Sequence, residues 1–122
     1  GNAVIASPKM VREHPEQVRA FVRATFRGLK ETIRNPDAGI KATMKTDPLI
    51  DASLERERLD LAISANILTD HVKQNGAGDI IISRMSRAID QLSLAYGLKR
   101  KPDVSEIFTR MFLPPRSERM LQ

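Results

Sequence analysis

A mainly helical chain of about six helices, led by one N-terminal β-strand, is the fold class that these 122 residues predict. Two observations predict it. Apolar residues recur at steps of three and four through most of the chain, the period of a helix with one buried face. Most helical segments are announced by a capping residue, a proline or both. The run Gly1-Asn2-Ala3-Val4-Ile5-Ala6-Ser7 is the exception and reads as one strand. A lone strand leaves its N–H and C=O groups without partners, so its neighbours are expected upstream of this sequence.

Ser7-Pro8 ends the strand and starts a short helix, Lys9 to Glu13: a side-chain oxygen at the N-cap, then proline at the first helical position. Pro15 opens a longer helix to about Arg34. Val18, Phe21, Val22, Thr25, Leu29 and Ile33 form its apolar stripe, and Arg19, Arg23, Arg27, Lys30 and Arg34 lie mainly on its wet side. Gly28 weakens this helix and marks a candidate close approach. Asn35-Pro36-Asp37 repeats the cap-then-proline signal for a third helix, to about Lys45. Asp51 or Ser53 caps a fourth, with Leu54, Leu61, Ala65 and Leu68 as its stripe, widened by Ile63 and Ile67. Asn75-Gly76-Ala77-Gly78 is a turn and helix C-cap.

Asp79 is expected to cap a fifth helix, Ile80 to about Tyr96, with Ile82, Met85, Ile89, Leu92 and Tyr96 on one face and Gly97 ending it in the left-handed region. Asp103 and Glu106 have capping-box spacing for a last short helix carrying Ile107, Met111 and Phe112. Beyond Leu113-Pro114-Pro115 a loose charged tail is expected. The division is one unit, 1–122, with a strand over 1–7, helices over 8–112 and the tail over 113–122.

Composition narrows the function classes. There is no cysteine, so disulfides, thiolate metal sites and cysteine nucleophiles are ruled out. No apolar run reaches the roughly 20 residues that span a bilayer, so no membrane insertion is expected. The net charge of +5 suggests nucleic acid, but the charges are interleaved, as in Glu55-Arg56-Glu57-Arg58. The one basic run, Lys99-Arg100-Lys101, has no aromatic platform within it, so no nucleic-acid partner is expected.

His14 and His71 are far apart and lack ligand spacing, Glu55 and Glu57 face different sides of a helix, and Gly76-x-Gly78 lacks the strand and third glycine of a phosphate loop. No nucleophile, base and oxyanion donor come together, so no catalytic residue, metal ligand or cofactor is assigned. A self-contained helical interaction or oligomerisation module fits this pattern.

One run of motifs carries a family resemblance. The opening strand is followed by Glu13-His14-Pro15-Glu16-Gln17-Val18-Arg19-Ala20-Phe21-Val22-Arg23-Ala24, then Gly28-Leu29 and Asn35-Pro36-Asp37-Ala38. Ile89-Asp90-Gln91-Leu92 and Phe112-Leu113-Pro114 come later. This resembles the C-terminal part of the periplasmic substrate-binding proteins of ABC importers, in the branch that binds nitrate, taurine, aliphatic sulfonates and thiamine-pyrimidine precursors. The resemblance implies part of an α/β, two-lobed type II binding-protein fold, with the opening strand returning through the hinge and the helices covering a sheet outside this sequence. It also implies a non-catalytic receptor for a small solute, an ABC permease as partner, and a periplasmic or lipid-anchored extracytoplasmic location. Asn2, at the hinge end of the strand, is the one candidate ligand contact. Helices without the sheet they cover expose apolar surface, so the isolated chain is expected to self-associate.

Overall fold

The computed structural model describes residues 3–122, so Gly1 and the candidate ligand contact Asn2 lie outside the described residues. The architecture is helical: α1 (Pro8–Glu13), α2 (Pro15–Arg34), α3 (Pro36–Thr46), α4 (Ala52–Ala62), α5 (Asp70–Asn75), α6 (Ile82–Tyr96), α7 (Val104–Ile107) and α8 (Arg116–Arg119). A π-helical turn, Ile63–Ile67, extends α4.

The local signals acted as their chemistry requires. Ser7, Asn35 and Asp51 accept hydrogen bonds from the backbone N–H of Met10, Ala38 and Leu54 at 3.1, 3.1 and 2.9 Å, each followed by proline or alanine at the first helical position. Asp51, rather than Ser53, is therefore the cap of α4. Gly97 ends α6 at φ 59° and ψ 42°, the left-handed geometry expected there. Asp103 and Glu106 form the capping box of α7, with the Asp103 N–H donating to Glu106 Oε2 at 2.7 Å.

Five expectations are corrected. Residues 3–7 form no strand among the described residues. A strand exists only through a ladder partner, and every other described element is helical or a turn. Asp79 is not the cap of α6: the helix starts at Ile82, and Asp79 instead accepts from the Ile80 N–H at 2.7 Å and pairs with Arg110 at 2.8 Å. The expected fourth helix breaks at Leu68, and Thr69 caps a separate α5 by accepting from the Val72 N–H. Its stripe is also displaced, because Leu54 and Leu61 are exposed, Leu61 at 66%. The π turn carries its hydrogen bond from Leu68 N–H back to Ile63 C=O, which shifts the phase of the side chains beyond it. Met111 and Phe112 follow α7 rather than lying on it.

The fifth correction is the C-terminal tail, which is docked. Phe112, Arg119 and Leu121 are buried, at 8, 8 and 5% exposure. They close a core made of Val18, Val22 and Phe26 of α2 with Ala77, flanked by Val11, Leu29, Ile33, Ile67, Leu68, Val72 and Leu113. The core is thin. Its surface of 9234 Å² is about 40% above the roughly 6,600 Å² expected for a folded chain of 13.7 kDa.

Two uncovered faces contribute to the excess. On α6 only Ile89 of the predicted stripe is buried, while Ile82, Leu92 and Tyr96 are exposed, Tyr96 at 76%. On α2, Ala20, Phe21, Ala24 and Gly28 project away from the core. Phe21 is 62% exposed, and nothing lies within 4 Å of where a Gly28 side chain would begin. Gly28 therefore makes no close approach among the described residues.

Candidate functional site

A candidate site lies where α2 meets the docked tail. Contacts made by Arg119, Arg116, Arg23 and Lys30 hold the tail. The Arg119 guanidinium donates from Nη1 to Ala77 C=O at 2.7 Å and from Nε to Pro114 C=O at 3.0 Å, while its own C=O accepts from Ala77 N–H at 2.9 Å. Arg116 donates to Gln74 C=O. Arg23 pairs with Glu118 at 2.8 Å, and Lys30 donates to Ser117 C=O at 3.4 Å. At the other end of α2, Arg19 donates to Met111 C=O at 2.8 Å and lies over the Phe112 ring, 5.4 Å from its centroid.

A buried guanidinium is costly unless its donors are met. Arg119 is met by backbone carbonyls, so it acts as a clasp between the tail and the Gly76–Gly78 turn. That turn is shaped for the clasp. Gly78 has φ +82°, and a Cβ there would sit 2.5 Å from Phe26 Cζ and 3.2 Å from Leu113 Cδ2. Gly76 is the C-cap of α5, as the capping reading of the sequence expected, and Gly78 packs the turn against Phe26 and Leu113.

Between α2 and α8 these contacts leave an open groove of about 360 Å³ lined by Arg23, Phe26, Arg27, Lys30 and Glu118. Phe26 forms its floor. A second depression of about 330 Å³ lies between α2, α3 and α4, lined by Thr32, Gly39, Ile40, Thr43, Glu55, Arg58 and Leu59. Neighbouring Arg56 ties α4 to α3, bonding Asp60 at 2.9 Å and Asp37, and both bonds raise its pKa, Asp60 most.

The two histidines do not meet. His14 joins α1 to α2 without a side-chain cap bond. His71 Nδ1 lies 3.2 Å from Asn75 Nδ2, and its buried Nε2 has no hydrogen-bond partner among the described residues. No group of three potential metal ligands occurs among the described residues, and none of their helices is long and apolar enough to cross a membrane. The sequence reading missed the tail clasp. Its only local trace is Met120-Leu121, two apolar residues inside a charged stretch.

Comparison with known proteins bears on the whole chain. Residues 1–39 match the model of the NMT1/THI5-like family, a segment that contains the motif run from Gly1 to Ala38. Over 118 residues the chain is 34% identical to the riboflavin-binding protein RibY of Chloroflexus aurantiacus. That alignment takes in 93% of this chain and 33% of the relative, so the chain spans about a third of the relative's length. No solved structure matches the chain. The resemblance carried by the motifs is thereby met: the chain is similar to the NMT1/THI5-like family over its first 39 residues and to a riboflavin-binding protein over nearly its full length.

Proposed function

We propose that this chain is part of the extracytoplasmic solute-binding component of an ABC importer, a receptor that binds a small molecule and delivers it to a permease without chemical change. The observation that carries this reading is the 34% identity to a solute-binding relative across 93% of the chain. The uncovered faces of α2 and α6 support it, because amphipathic helices of this kind are built to cover something, and about two thirds of the relative's length lies outside the alignment. In this reading the N-terminal segment leads from the hinge, and Asn2 borders the cleft between the lobes. The interlobe cleft would be completed by residues outside this sequence, and closure would be driven by contacts the solute makes only in the closed form. The location follows as periplasmic or lipid-anchored.

The relative's name adds a flavin to the candidate solutes, beside the small anions and pyrimidine precursors suggested by the motif branch. A thermal-shift series on the full-length protein separates them: riboflavin, taurine, nitrate and a thiamine-pyrimidine precursor. A ligand at a hundredfold over its Kd adds about 2.7 kcal/mol of stability, a rise in Tm of about 3–4 °C for a chain of the relative's length. One of the four should give it. No shift with any of them overturns the proposed solute classes, and a full-length sequence with no room for a second lobe overturns the receptor reading and favours the self-contained helical module.

A further inference from the structure

The wet side of α2 is organised beyond what solubility needs. At about 100° per residue, Arg19, Arg23, Arg27, Lys30 and Arg34 fall within an arc of about 80° and extend for about 22 Å along the helix. Glu16 shares this arc and pairs with Arg19 at 3.2 Å; Arg34 pairs with Glu31 at 3.4 Å. The middle of the row has less compensation. Arg23 is bound to Glu118, the one carboxylate of the groove, whereas Arg27 and Lys30 have no carboxylate partner among the described residues. The groove thus presents two uncompensated cations beside an ordered wall supplied by the tail.

We infer that this groove and the cationic row through it form a docking surface for an extended, acidic segment of a partner protein. Three observations choose that occupant. The row is too long for one small anion. Arg19, Arg23 and Arg27 recur about every 6 Å along the helix, close to the roughly 6.7 Å between alternate side chains of an extended strand, and Lys30 follows Arg27 by about 4.5 Å, within reach of a long side chain, so carboxylates at every second position can meet the row. Single-stranded nucleic acid has a similar backbone spacing but relies on accessible aromatic faces, and Phe26, the groove's one aromatic residue, is only 9% exposed. This inference is independent of the solute-binding reading, and its test needs no solute.

The test measures fluorescence anisotropy of a labelled eight-residue peptide of alternating glutamate and serine, at low ionic strength, with the full-length protein. Arg27→Gln/Lys30→Gln should weaken binding about tenfold, by the loss of two close charge contacts. Arg84→Gln/Arg87→Gln on α6 removes the same charge elsewhere and should change binding less than about twofold. Circular dichroism of both double variants checks that the helices persist. Equal weakening by the two pairs, no measurable binding of the peptide, or tighter binding of an eight-nucleotide oligo-dT each overturns the inference.

Discussion

Arg119 bonds the Gly76–Gly78 turn at Ala77, whereas Gly78 packs that turn against Phe26 and Leu113, and single substitutions separate the two contacts. Arg119→Met keeps the apolar stem but removes the donors to Ala77 C=O and Pro114 C=O. Leaving such groups unmet costs about 1–3 kcal/mol, so the urea midpoint should fall while the slope of the transition stays constant. Gly78→Ala meets Phe26 at 2.5 Å and a positive φ together, and should cost about 2–4 kcal/mol. Gly97→Ala faces a positive φ in open space and should cost only about 1–2 kcal/mol. If the two glycine variants are equally destabilised in urea, the close approach of the turn to α2 is wrong.

At the scale of the element, α7 shows how much a four-residue helix owes to its ends. Asp103 is held below the ordinary carboxylate range first by the Ser105 hydroxyl and then by the Ser105 N–H; Glu106 is held there first by Arg100 and then by the Asp103 N–H. Groups whose pKa is lower in the folded state stabilise it above their unfolded pKa, about 4, and lose that contribution as pH falls through the folded value. Protection factors of residues 104–107, corrected for the intrinsic pH dependence of exchange, should therefore fall below about pH 4 ahead of those of α2, and Glu106→Gln should remove much of that difference.

For α2 the expected outcome has the opposite sign. Gly28→Ala sits in a helix interior with open space around it and should raise stability by about 1 kcal/mol in thermal unfolding of this chain. These helices were largely legible in the sequence because Ser7, Asn35, Asp51 and Asp103 act on neighbours two or three residues away. Thr69 was not, since it interrupts an apolar run whose stripe looked continuous until the π turn shifted its phase. The tail was not legible either, because Arg119 and Arg116 are anchored on Ala77 and Gln74, 42 residues away in each case. The groove shares that origin: the cations of α2 could be read from spacing, but its Glu118 wall depends on the docked tail.

At the scale of the whole molecule, the apolar surface left open on α6 is available for association. A stable interface needs about 800 Å² from each partner, and the surface beyond that of an ordinary folded chain is roughly three times this amount. We expect the isolated 122-residue chain to self-associate, with a light-scattering mass that rises with concentration. Leu92→Glu/Tyr96→Glu places charge on the exposed face of α6 and should restore the monomer without loss of helix, since neither side chain belongs to the buried core. In the full-length protein the same pair should behave differently. If a sheet of the same polypeptide covers α6, two carboxylates are driven into a buried interface without partners, and stability should fall by several kcal/mol. If the chain is instead a self-contained module, the pair should leave its unfolding midpoint nearly unchanged wherever it is measured. A strictly monomeric chain at high concentration, together with a full-length protein indifferent to the substitutions, would show that the open face of α6 is simply solvated.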